Sequence, residues 1–128
     1  MKIKLSNERI YGDVQKLARI SQKELPIKVS YAIAKNTDKI DAELKIFNKE
    51  RNKLIEKYAE KDDKGKIISD ERGDIKFKDK KSWDKDIEEL SALENEFEIH
   101  QFPLSALDNI NNLSPSEIRA IDYMIDEK

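Results

Sequence analysis

The chain has 128 residues, no cysteine, one histidine and three glycines, with 41% charged residues balanced to a net charge of -2. That length favours one domain, and the missing thiols exclude disulfides, zinc–thiolate sites and thiol nucleophiles. A high charge fraction with low net charge, and with large apolar residues recurring at regular intervals, points to long helices carrying a narrow apolar stripe rather than to disorder.

The opening residues, Met1 to Ser6, precede a polar stretch, so neither a signal peptide nor a membrane span is expected, and a soluble cytoplasmic protein is the reading. Lys2-Ile3-Lys4-Leu5 alternates as a short strand. Ser6 offers an N-cap for a first helix over about Asn7–Gln22, with Ile10, Val14 and Leu17 on one face. Pro26 starts a second helix, expected to end near Ala59.

In that second helix Ile33, Ile40, Phe47 and Leu54 recur every seven residues, interleaved by Thr37, Leu44, Arg51 and Tyr58. Alternating spacings of four and three define a coiled-coil seam. A continuous helix of this kind is a rod of about 50 Å, expected to project from the body unless it breaks near Asn36-Thr37-Asp38.

Lys61 to Gly65 reads as a turn. Lys66-Ile67-Ile68 and Asp74-Ile75-Lys76-Phe77 flank Ser69 to Gly73 as a β-hairpin. Asp79 caps a third helix bearing Trp83, Ile87, Leu90 and Leu93. Residues Phe97–Phe102 alternate as a strand, expected to pair with residues 2–5. Leu104, Leu107 and Ile110 mark a short helix. Ser114-Pro115-Ser116-Glu117 signals a capped last helix carrying Ile118, Ile121, Tyr123, Met124 and Ile125. The expected class is mainly α with a small β component: a long helical hairpin, coiled-coil-like, joined by a β-hairpin, with short base strands and C-terminal helices. A single domain over 1–128 would comprise residues 1–24 (strand and helix), 25–97 (helix, β-hairpin, helix) and 98–128 (strand and C-terminal helices).

Charge is unevenly spread, with a net +5 over residues 1–60, +1 over 61–80 and -8 over 81–128. The lysines of the second helix, among them Lys35, Lys39, Lys45, Lys49, Lys53 and Lys57, could face nucleic acid. However, Asp38, Asp41, Glu43, Glu50 and Glu56 cancel much of their field, and no aromatic residues stand ready to stack exposed bases. The expectation is that Asp84, Asp86, Glu88, Glu89 and Glu94 of the third helix answer the basic helix within the molecule, and that nucleic acid is not a partner.

Glu96, Glu98 and His100 share one strand face and have zinc-compatible chemistry. Alternation with Phe97 and Ile99 favours a solvated face instead, so no metal is expected. Asp62-Asp63-Lys64-Gly65 and Asp70-Glu71-Arg72-Gly73-Asp74 lack the alternating carboxylates of a calcium loop and fit turn chemistry. With one histidine, no Gly-flanked serine and no phosphate-cradling glycine loop, neither a catalytic site nor a cofactor is expected. Trp83 is expected to pack against Phe77 or Tyr58; where exposed it would anchor a partner, since tryptophan is enriched at interface hot spots, and Trp83, Phe77, Ile75 and Tyr58 are the candidate partner-binding residues around the hairpin.

The order of parts, with Lys57-Tyr58-Ala59-Glu60-Lys61-Asp62-Asp63-Lys64-Gly65-Lys66 and then Gly73-Asp74-Ile75-Lys76-Phe77-Lys78-Asp79 before an acidic Trp-containing helix, resembles a family of short proteins of unknown function encoded by phages and prophages of Gram-positive bacteria. The likeness covers about residues 25–100. It implies a phage-encoded protein acting in the bacterial host cytoplasm, or carried in the virion, and it brings no catalytic residues. The expected function is to bind and modulate a host protein, for instance as an inhibitor of a defence system. A virion, tail-morphogenesis or assembly-chaperone role is the alternative, and a nucleic-acid-binding regulator comes after it. Homodimerisation through the uncovered part of the long helix is a further expectation.

Overall fold

The computed structural model describes residues 1–127. About 57% of the chain is helical and 16% is strand, a mixed fold with helix dominant. Two compact units divide it: residues 1–44 with 94–128, and residues 45–93. No helix among the described residues is long and apolar enough to cross a membrane.

In the first unit, strand β1 (Lys2–Ser6) pairs antiparallel with β2 (Glu94–Glu98), setting Ile3 opposite Phe97 and Leu5 opposite Asn95. The Ser6 hydroxyl accepts from the Arg9 amide at 3.1 Å and so caps helix α1 (Asn7–Ser21). Helix α2 (Ile27–Tyr58) contributes its N-terminal half to this unit. Pro26 sits one position earlier than a first helical residue, because its carbonyl accepts from both Val29 and Ser30. The helix runs unbroken through Asn36, Thr37 and Asp38. Its residues Val29, Ile33, Ile40 and Leu44 join Leu5, Ile10, Leu17, Phe97, Phe102 and Met124 in one buried core.

Asn36 is fully buried in that core and explains a departure from the expected strand over 97–102. Its side-chain amide donates to the His100 carbonyl, and its carbonyl oxygen accepts from the His100 amide, both at 2.8 Å. A helix side chain thereby pairs with His100 as a neighbouring strand would, and the chain divides there. Strand β2 begins at Glu94, three residues before the expected Phe97, and a separate β3 (Phe102–Pro103) follows.

A 3₁₀ turn (Leu104–Leu107) comes next, shorter than a helix through Ile110. The capping box at Ser114 and Glu117 forms as expected and opens α4, but α4 covers only Pro115–Ala120. Residues 122–124 then form a 3₁₀ turn, and β4 (Ile125–Asp126) pairs parallel with β3. Parallel pairing needs extended backbone, so Ile125 leaves the helix that its spacing suggested.

In the second unit, the C-terminal half of α2 buries Phe47 and Ile55, while Arg51, Leu54 and Tyr58 are half-buried. Helix α3 (Lys80–Ala92) starts where Asp79 accepts from the Ser82 amide at 3.1 Å. The hydroxyl of Ser82 also donates to Asp79, and these two bonds hold the carboxyl below its ordinary pKa, the hydroxyl bond foremost.

The expected hairpin is present, with Ser69 opposite Ile75, but a third extended segment joins it. Ala59 lies opposite Phe77 and Lys61 opposite Ile67. The Glu60 amide donates to the Lys76 carbonyl, the Lys76 amide to Ile68, and the Ile68 amide back to Glu60, at 2.8–3.0 Å. Three segments thus close a ring of backbone hydrogen bonds. Two equivalent turns, eight residues apart, connect them. Asp62 Oδ1 accepts from the amides of Lys64 and Lys66, and Asp70 Oδ1 accepts from those of Arg72 and Asp74. Gly65 and Gly73 occupy the same place in each turn, with φ of 82° and 84°. Both aspartates are therefore spent on backbone amides, as turn chemistry predicts.

Candidate functional site

The Phe77 and Trp83 rings stack face to face, with centroids 4.4 Å apart and planes 14° from parallel. Five residues separate them: Phe77 ends the last extended segment, and Trp83 lies on the first turn of α3. Asp79 lies between these two elements and caps α3 through Ser82. Ile75, Phe77 and Trp83 line one concave surface of about 830 Å³ with Ile55, Arg51, Glu60, Asp70, Asp74, Lys76 and Lys80. Three cations and three carboxylates thus surround four apolar side chains.

Three of the four candidate partner-binding residues therefore come together. Tyr58 does not line this surface. Its hydroxyl donates to Asp86 Oδ2 at 2.6 Å, and Lys57 lies over its ring at 5.0 Å. The bond to the Asp86 carboxylate pushes the Tyr58 phenol above its ordinary pKa.

Charge pairing in this unit is mostly local. Lys53 meets Glu50 at 3.0 Å, Lys61 meets Glu56 at 2.6 Å and Lys80 meets Asp84 at 3.6 Å. Between acidic α3 and basic α2, the Tyr58 hydroxyl bonded to Asp86 is one contact of the expected kind, with a neutral donor. A partner three to five residues away along the chain restricts fewer side-chain torsions than one on another helix, so local pairs prevail.

Glu96, Glu98 and His100 are exposed while Phe97 and Ile99 are buried, the alternation expected of a solvated face. Each is engaged elsewhere. Glu98 takes the N-terminal ammonium at 3.0 Å, which holds its carboxyl below the ordinary range. Glu96 faces Lys2 at 3.7 Å, and the His100 ring lies edge-on to Tyr31. Among the described residues no group of three or more histidine, aspartate or glutamate side chains is placed to hold a metal ion.

A second concavity of about 320 Å³ escaped the sequence reading. Leu54 of α2 and Leu90 of α3 line it with Leu93, beside Glu50, Asp86 and Glu89. These leucines fall on the apolar stripes that periodicity assigns to the interior, so spacing alone could not flag them. A surplus of acidic residues beside Leu90 and Leu93 was the available signal.

The chain matches no protein-family model, no curated protein and no solved structure.

Proposed function

We propose that this chain is a non-enzymatic protein-binding protein, phage-encoded, that binds and inhibits a host protein such as a component of a defence system. The stacked Phe77–Trp83 pair, set with Ile75 in an open surface ringed by both signs of charge, carries this reading. Rigid aromatic anchors surrounded by mixed polar groups are the anatomy of protein interfaces, in which few residues supply most of the affinity. In this reading α2 and α3 act as a coiled-coil-like helical hairpin presenting the aromatic pair. The Tyr58–Asp86 bond and the leucines at 54 and 90 support that pairing. The phage origin and the host partner rest on the resemblance of residues 25–100.

The experiment is affinity capture from host lysate with the wild-type chain and with Trp83→Ala. A host protein retained by the wild type and reduced about tenfold or more by Trp83→Ala is the expected result. Recovery of phage structural proteins alone would replace inhibition with a morphogenesis role. Retardation of mixed DNA and RNA at physiological salt by submicromolar protein would overturn protein binding in favour of a nucleic-acid partner.

A further inference from the structure

We infer that the groove lined by Leu54, Leu90 and Leu93 receives a basic amphipathic helix of another protein. The groove lies within residues 45–93 and shares no lining residue with the Phe77–Trp83 surface.

Three observations carry the inference. Helix α3 has an apolar stripe at helical spacing, yet none of its residues is fully buried, and Leu93 directly after it is 59% exposed. A stripe of this kind normally faces a core. Here it flanks a groove of about 320 Å³, which accommodates a few apolar side chains and not a folded domain.

The charged residues that line the groove with the leucines are carboxylates: Glu50, Asp86 and Glu89. Lys53 offsets Glu50, whereas the partner of Asp86 is the neutral hydroxyl of Tyr58. A ligand entering past Asp86 and Glu89 needs apolar groups on one face and cations beside them. A helix with leucine-like residues at i, i+3 or i+4 and i+7, flanked by lysine or arginine, has that chemistry. A two-fold pairing of this groove with its own copy would bring the same carboxylates face to face, which disfavours a second copy as occupant.

The test uses two labelled synthetic helices of about five turns each. They share one leucine face and carry either lysine or glutamate on the other positions. Binding to the full-length chain is read by fluorescence anisotropy at about 0.05 M and about 0.5 M salt. The lysine helix is expected to bind at least about tenfold more tightly than the glutamate helix, a margin that narrows at high salt. Leu93→Ser and Glu89→Lys should each weaken it about tenfold. Both positions are exposed, and circular dichroism checks that the helices persist. Ile46→Ser, at another exposed apolar position outside the groove, should leave binding unchanged, as should Trp83→Ala, which separates this site from the aromatic surface. Equal affinity for the two helices, or indifference to Leu93→Ser, would overturn the inference. So would a dimer in sedimentation equilibrium that Leu93→Ser dissolves.

Discussion

Replacing Asn36 with leucine isolates the interaction that divides β2 from β3. Asn36 is fully buried, and its side chain makes both hydrogen bonds to His100, each 2.8 Å long. Leucine repeats the branched skeleton of asparagine with bulkier methyl groups, so no cavity opens, and the loss reports mainly on hydrogen bonding with some crowding added. The His100 amide and carbonyl would be left without this partner, and an orphaned buried group costs about 1–3 kcal/mol. Both bonds are only partly shielded from water, so the lower part of that range applies to each, about 2–4 kcal/mol for the pair. With a urea m-value of about 2 kcal/mol/M, the denaturation midpoint should fall by about 1–2 M. Hydrogen exchange gives a local check, because the His100 amide should lose protection in the variant. A variant within about 0.5 kcal/mol of wild type, or one whose His100 amide stays protected, would refute the claim that Asn36 acts as a surrogate strand.

Three other outcomes follow from the same structure. The Ser114 backbone amide, and after it Lys23, hold the Glu117 carboxyl down to about 2. Because its folded-state pKa lies below its unfolded one, Glu117 stabilises the fold above pH ~4.5, and that contribution fades as pH falls towards ~2. Glu117→Gln should flatten the acid limb of unfolding in that window, and carboxyl chemical shifts should show the low titration directly. Gly73→Ala should cost about 1–2 kcal/mol by denaturant titration, because φ is positive there and no atom lies within 4 Å to add a clash. Gly73→Asn should cost less, since asparagine tolerates that region. Phe77→Ala should red-shift and weaken the emission of the single tryptophan by uncovering the Trp83 face, whereas Tyr58→Phe should leave it unchanged.

Local signals in the sequence were legible because their physics is local. Ser6, Asp79 and Ser114 cap helices through oxygens that reach amides three residues on, and each lies where the sequence places it. Ile33, Ile40, Leu44 and Phe47 are buried, as a repeat of four and three requires. What escaped notice depends on distant backbone. Nothing in residues 97–102 announces that a helix side chain 64 positions away will satisfy His100. A two-residue strand such as Ile125–Asp126 has no period to detect, so the helical spacing of Ile118, Ile121 and Ile125 concealed it. The aromatic pair was partly legible, since a short capped turn leaves Phe77 and Trp83 few ways to avoid each other. Tyr58 ends α2, and its hydroxyl goes to Asp86 rather than joining the aromatic surface.

The ring through Glu60, Ile68 and Lys76 has one more implication. Each of these residues gives its amide to one neighbour and its carbonyl to the other, so at that level the three segments have no outer rim. An open ribbon offers dangling groups on which foreign chains can lay down further strands. Here the circuit ends where it began, and a small patch of extended chain is safe beside sticky apolar residues without a helix laid over it. Lengthening one of the two turns would leave that closure intact, while a proline at position 68 would break it and restore the hazard.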